Sequence, residues 1–168
     1  VMVGEGAGFS NTIGARNTYV GGGDSSNVGA GYANTEGNDN VALGHQALKT
    51  NISADDNTAI GKKAIYSTVG ADNTAVGSDA GYYQTTGTQN TFLGRQAGYG
   101  NSGGATGSGN TVMGSNAGVS LTSGSYNVMT GHNAGYSITT GSRIVAIGAP
   151  STTAGTDAAG YGLTEATD

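Results

Sequence analysis

The sequence has 168 residues, enough for one domain, but only 25 of them are Leu, Ile, Val or Phe, which is little for a globular core. Disorder fits poorly too, because 10% of the residues are charged and Pro150 is the one proline, whereas disordered chains are rich in both. A net charge of −5 with no Cys and no long apolar run argues against nucleic-acid binding, disulfide stapling and membrane insertion.

A motif of the form Asn-Thr-Ala-aliphatic-Gly recurs along the chain and is clearest where it begins at Asn57, Asn73 and Asn90. Copies and variants of it begin near residues 1, 17, 40, 57, 73, 90, 110, 127 and 144. A fixed period of this length indicates stacked structural units. We therefore predict one repeat domain over residues 1–153, built from about nine units of roughly 17 residues. Residues 154–168 are predicted to be an exit segment or the start of another element.

Each unit is predicted to form one coil of an all-β solenoid. The motif alternates and is rich in β-branched residues, which favours a short strand of about five residues. An Ala-Gly-aromatic segment, as at Ala80-Gly81-Tyr82, is predicted to form a second, weaker strand, with glycines at the corners between the two. Stacking at about 4.8 Å per coil gives an axis of roughly 43 Å.

Comparison of the units with one another suggests which side chains face the interior. The second motif position exchanges Thr with Val, as expected at a packed site, and the fourth position is aliphatic in every unit from residue 40 onward except at Thr130. Both positions are predicted to face the core, because residues two apart on a strand share a face. The predicted core-facing residues of the fourth position are Leu43, Ile60, Val76, Leu93, Met113 and Ile147.

The Asn-Thr-Ala-Ile-Gly, Ala-Gly-Tyr and Thr-Thr-Gly segments resemble the head repeats of trimeric autotransporter adhesins, and still more the related repeats of virus tail fibres. The resemblance extends from Val1 to about Thr153. It implies a parallel β-roll in a homotrimer, with the aliphatic positions towards the threefold axis. Units closed by Thr-Thr-Gly depart from the shorter adhesin repeats, which favours a virion tail fibre over a bacterial adhesin on the extracellular surface. Packing also favours association, since each coil offers few aliphatic residues to fill a closed interior.

No pattern typical of an enzyme or metal site stands out. Gly-x-Gly strings are not followed by a helix, and the string Gly23-Asp24-Ser25-Ser26 has no His with a partner acid nearby in sequence. His45 and His132 hold the same position five coils apart, roughly 24 Å by the stacking distance, so one chain cannot join them through a metal. The sequence predicts no catalytic, cofactor-binding or metal-binding residues.

Three side-chain series repeat with the coil. The motif Asn residues are predicted to hydrogen-bond from coil to coil. The motif Thr residues leave an ice-binding solenoid as a remote alternative. The aromatic residues are predicted to stack on the outside as a shielding ladder, with a glycan-stacking stripe as the functional alternative; they are Phe9, Tyr32, Tyr66, Tyr82, Tyr99 and Tyr136.

Two units are longer than the others, at 23 residues from Asn17 and 20 residues from Asn90. Extra residues cannot enter stacked strands without loss of register, so we expect loops within residues 22–29 and 100–109. These loops are the candidate contacts to a host-surface receptor, with a glycan as one candidate. The residues predicted to make these contacts are Asp24, Ser25, Ser26, Asn27, Asn101 and Ser102.

Overall fold

The computed structural model describes residues 1–148, so the predicted exit segment at residues 154–168 lies outside the described residues. The regular structure of the described residues consists of nine short strands. They are β1 (Met2–Val3), β2 (Thr18–Val20), β3 (Val41–Leu43), β4 (Thr58–Ile60), β5 (Thr74–Val76), β6 (Thr91–Leu93), β7 (Thr111–Met113), β8 (Val128–Thr130) and β9 (Val145–Ile147). Each strand pairs in parallel with the next, in chain order. The chain is therefore a parallel β-solenoid of about nine coils, which confirms the repeat prediction.

The register of the sheet follows the motif. Thr58 pairs with Thr74 and Ile60 with Val76, so equivalent motif positions lie side by side. The two long units do not disturb this register, since β2 still pairs with β3, and β6 with β7, at equivalent residues. The extra residues are therefore accommodated outside the sheet, as predicted.

The predicted second strand over the Ala-Gly-aromatic segment is wrong for the described residues, where this side of the coil is a series of turns. Left-handed backbone recurs at every second residue, as at Lys63 (φ 56°) and Ile65 (φ 43°), and an extended strand does not contain such residues. The amides nevertheless bond neighbouring coils, with Ile65 N–H donating to Ala80 O at 2.8 Å. Neighbouring coils are therefore hydrogen-bonded on the turn side as well, although no second sheet forms there.

The interior of the coil is narrow and is lined by the middle residue of each strand. From β2 to β9 these residues are Tyr19, Ala42, Ala59, Ala75, Phe92, Val112, Met129 and Ala146, all buried. Where the strand supplies Ala42, the turn side supplies buried Leu48. Where the strand supplies Phe92, the turn side has Gly98, and a Cβ added there would overlap the Phe92 ring. In these two coils one large side chain fills the interior, whereas Gly81, in the coil of Ala75, lies against the Phe92 ring of the next coil.

The motif Asn residues form the buried ladder that the sequence predicts. Asn90 donates from Nδ2 to Asn73 Oδ1 at 3.1 Å, and its own Oδ1 accepts the backbone N–H of Asn110 at 2.9 Å. Its Nδ2 also donates to Gly107 O at 2.9 Å. This pattern satisfies polar groups that lie too deep for water, and a buried polar group left unpaired costs about 1–3 kcal/mol.

A second ladder lies beside the first and was not predicted; Asn17 and Asn34 both donate from Nδ2 to Gly37 O, at 2.7 and 3.0 Å. Asn34 Nδ2 donates to Asn11 Oδ1 at 2.8 Å, and Asn51 Nδ2 donates to Asn34 Oδ1 at 3.0 Å. Further along the chain, the same position is occupied by the buried apolar residues Leu121 and Ile138. The residue type at this position therefore changes along the chain, whereas its burial is retained. A repeat comparison based on residue type misses such a position.

Candidate functional site

The outer face of the sheet carries the residues that were assigned to the core. The six residues of the fourth motif position lie on the outside of the single chain, with Ile60 at 37%, Leu93 at 46% and Ile147 at 54% exposure. The prediction that they fill the interior of the coil is wrong for the single chain, because the third motif position lies there instead. The set is Leu43, Ile60, Val76, Leu93, Met113 and Ile147. Their facing towards a threefold axis between chains stays a prediction.

This face, which we call the outer sheet face, is made of two rows. One row contains the aliphatic residues just named. The other row consists of Thr and Val side chains, since the first strand residue points outward as well; from β2 to β9 it is Thr18, Val41, Thr58, Thr74, Thr91, Thr111, Val128 and Val145. Methyl and methylene groups therefore form a continuous strip, roughly 34 Å long from β2 to β9 at about 4.8 Å per strand. Strips of this kind commonly mark an interaction surface.

The first loop consists of Asp24 to Gly29, because Gly23 still donates its amide to the coil before it, at Glu5 O. Asp24, Ser25, Ser26 and Asn27 are all exposed. The Asp24 carboxylate accepts the Ser26 amide at 2.9 Å and Gln46 Nε2 at 3.1 Å. The first bond closes the loop on itself, and the second attaches it to the following coil.

His45 also lies beside this loop, with Nε2 4.0 Å from Asp24 Oδ2. A His with a partner acid therefore does stand near the Asp24-Ser25-Ser26 string, contrary to the reading of the sequence alone. The Ser26 amide bond and the positive charge that His45 can carry lower the pKa of Asp24. Ser26 contacts the carboxylate through its backbone amide, so this bond orders the loop.

The second loop is shorter than the predicted residues 100–109. Ala105 N–H donates to Tyr83 O at 2.7 Å and Gly107 N–H to Thr122 O at 3.0 Å, so both residues belong to the coil. The loop proper is Asn101 to Gly104, closed by the Gly104 amide on Asn101 O at 2.9 Å. Asn101 and Ser102 are exposed, as a contact role requires.

The aromatic residues form a column on the outside of the turn side. Phe9 and Tyr32 stack with ring centroids 5.3 Å apart, and Tyr66, Tyr82 and Tyr99 stack at 4.7 and 5.2 Å. The predicted stacking ladder is confirmed for these five rings. Burial raises the pKa of Tyr82 and of Tyr99, and the neighbouring Tyr83 contributes to both shifts.

Two positions interrupt this aromatic column, and the sequence reading overlooked both. Lys49 takes the position between Tyr32 and Tyr66, and its Nζ lies 4.8 Å from the centre of the Tyr66 ring and 2.6 Å from the Tyr66 hydroxyl. Val119 takes the position between Tyr99 and Tyr136. Alignment of every unit on its motif glycine would have revealed both gaps.

Residues 1–148 contain no group of three or more His, Cys, Asp or Glu side chains that could hold a metal ion. In the same residues no helix is long and apolar enough to cross a membrane. The surfaces that the structure offers are therefore the outer sheet face, the two loops and the aromatic column.

No protein-family model, curated protein or solved structure matches this chain. The fold class is a parallel β-solenoid on the strength of its own sheet and register, and its function has to be inferred from its surfaces.

Proposed function

We propose that the chain is a non-enzymatic structural and adhesive segment of a homotrimeric fibre, a virus tail fibre used in host attachment. The observation that carries this proposal is the outer sheet face. A solenoid whose interior is already filled by buried residues of the third motif position and of the turn side has no need of a second aliphatic row. An exposed strip of Leu, Ile, Val and Met is explained when other copies of the chain cover it.

The energetics support association along the whole strip. If each coil buries roughly 40–80 Å² of apolar surface against its partners, the gain is about 1–2 kcal/mol per coil at 25 cal/mol/Å². Over about eight coils this is comparable with the stability of an ordinary domain. The same parallel stacking gives a stiff element, since each coil is bonded to its neighbours through strand and side-chain ladders.

Adhesion is proposed from the exposed loops and the aromatic column, which a trimer presents three times around its axis. Three copies of a weak contact bind with increased avidity when the geometry allows them to act together. The head of a bacterial trimeric surface adhesin remains the alternative, and both readings share the trimer.

Light scattering across a range of concentrations tests the trimer. We expect a mass three times the 16.4 kDa of the single chain and no monomer at micromolar concentration. A stable monomer at all concentrations overturns the proposal.

One observation favours a second candidate, the ice-binding solenoid. Thr58, Thr74, Thr91 and Thr111 are neighbours in one row of the outer sheet face, rather than half buried in a core. Thermal hysteresis and ice shaping by the isolated protein would support it. A trimer that covers this row would exclude it.

A further inference from the structure

We propose that the gap in the aromatic column at Val119, between Tyr99 and Tyr136, binds one saturated pyranose ring of a carbohydrate. This inference rests on the proposed role in attachment and gives the chemistry of the receptor. We call this gap the Val119 slot.

The backbone positions the two walls of the slot equivalently. Tyr99 N–H donates to Gln96 O at 3.3 Å and Tyr136 N–H to Asn133 O at 3.1 Å, three residues back in each case. Gly98 and Gly135, which precede them, share left-handed φ values of 57° and 63°. Val119 holds the same position in the coil between, because the amide of Gly118 bonds Ala134 O just as that of Gly98 bonds Ala117 O.

No aromatic ring of the described residues occupies this slot. Tyr99 stacks on Tyr82 on one side, and on its other side the next coil offers only the short side chain of Val119. Tyr136 is 45% exposed, and within residues 1–148 no ring stacks on it. At the other gap, by contrast, Lys49 reaches the Tyr66 ring and occupies the space itself.

The spacing selects the kind of ring. Two coils separate Tyr99 from Tyr136, or roughly 10 Å at 4.8 Å per coil. A flat ring in contact with both walls needs about 7–8 Å, at 3.5–4.0 Å on each side. No backbone fixes a free ligand midway between the two walls, so a flat base would pack against one wall and leave a gap at the other. A puckered pyranose with its axial C–H bonds is thicker and contacts both.

Polar groups border the slot as a sugar requires. Asn101 and Ser102 follow Tyr99 on the exposed second loop. Lys63 shows that its position borders the aromatic column, since its Nζ lies 5.7 Å from the Tyr66 ring and 5.9 Å from the Tyr82 ring. Asn116 holds that position in the coil of Val119, and its Oδ1 is buried without a hydrogen-bond partner. Rotation of this amide towards a sugar hydroxyl supplies the missing bond.

The experiment is saturation-transfer NMR on the whole protein with a panel of methyl pyranosides of glucose, galactose, mannose and N-acetylglucosamine, and with adenosine as a flat-ring control. We expect transfer to the ring protons of at least one pyranoside and none to adenosine. Val119→Tyr, which fills the slot with the residue that most units carry, should weaken pyranoside binding about tenfold or more. Tyr136→Ala, which removes one exposed wall, should do the same.

Lys49→Tyr is the matched control, because it fills the other gap of the same column and should leave pyranoside binding unchanged. Absence of transfer to every pyranoside, preferential binding of adenosine, or equal binding by Val119→Tyr and the parent protein each overturns the slot. Light scattering of the same samples reports the trimer independently, so failure of the slot and failure of the fibre proposal are distinguishable.

Discussion

At the scale of single residues, the strand side and the turn side of a coil share the interior. Where one side carries a large side chain, the other carries a small one. Ala42 faces a coil side that carries Leu48, while Phe92 faces Gly98. The exchange explains why Leu48 and Ile65 replace this glycine only in coils whose strand supplies Ala, at Ala42 and Ala59. Interiors are packed to the density of crystals, so a coil with a large side chain on one side, such as Leu48 or Phe92, has no room for a second one opposite.

We expect the pair Phe92 and Gly98 to behave as a unit. Phe92→Ala leaves a cavity and should lower the free energy of unfolding by about 3–5 kcal/mol. Gly98→Leu overlaps the Phe92 ring and should cost on the order of 3 kcal/mol. The double variant recreates the arrangement of Ala42 and Leu48, and should lie within about 2 kcal/mol of the parent, the remainder being left-handed strain at Leu.

Urea unfolding followed by circular dichroism measures all three variants, and the coupling follows from a double-mutant cycle. The backbone at residue 98 can accept Leu, since Leu48 at the equivalent position has φ 53° and Gly98 has φ 57°. Simple addition of the two single effects in the double variant would contradict the exchange.

At the scale of elements, the sequence predicted the strands and their stacking but not which face they present. Period-two alternation is unchanged when the whole strand is turned over, so it cannot tell Thr58 and Ile60 from Ala59 as the inward residues. The choice of the larger residues as core was wrong because the third position faces inward, and its size depends on the turn side: it is Ala opposite Leu48 or Ile65, and Phe92 opposite Gly98. The low aliphatic content was itself a sign of so narrow an interior.

The prediction of a second strand on the turn side was wrong for a different physical reason. The backbone is left-handed at Gln46, Lys63, Asp79 and Gln96. This conformation is uncommon for residues other than Gly, so residue propensities do not predict it here. The loop positions were predictable because extra residues must leave the stack. Their limits were not, since Ala105 and Gly107 look like loop residues in composition but carry coil hydrogen bonds.

Excision of Asp24 to Gly29 tests the first loop. The variant joins Gly23 to Ala30 and restores a unit of 17 residues, so we expect an unchanged melting temperature and the same number of chains in the assembly. If Asp24, Ser25, Ser26 and Asn27 contact the receptor, binding to host cells should fall by at least about tenfold, because three contacts are lost from each trimer. Excision of Asn101 to Gly104 is the parallel variant for the second loop.

Attachment equal to the parent in both excision variants would contradict a receptor role for the loops and leave the Val119 slot as the contact on this segment. Loss of folding would instead show that the loops stabilise the coil. The bonds of Asp24 to Gln46 and Ser26 make that outcome measurable as a lower melting temperature.

At the scale of the whole molecule, the solenoid is a stack in which every coil depends on its neighbours. The Asn ladder passes hydrogen bonds from Asn17 to Ile144 without a break, and the strands pair in the same order. Stability is then a sum of coil and interface terms, so damage at one coil is felt by the next. In the proposed trimer, interactions between chains would add to this sum along the outer sheet face.

The last prediction compares two exposed positions on neighbouring parts of one coil. Ile60 lies on the outer sheet face and Lys62 lies two residues on, beyond the motif glycine, and both are exposed in the single chain. Ile60→Asp in a trimer brings three carboxylates to a desolvated interface, where burial and mutual repulsion both oppose the charged form. We expect it to abolish association, while Lys62→Asp leaves the mass and the melting temperature nearly unchanged.

Light scattering and thermal melts on both variants at two concentrations check this prediction. The melting temperature of the parent should rise with concentration, as mass action requires of an oligomer, and that of Ile60→Asp should not. A harmless Ile60→Asp would show that the outer sheet face is not an interface, since an Asp on a solvated strand costs no more than about 1 kcal/mol. Equal damage from both substitutions would place the interface along the corner at Lys62 as well.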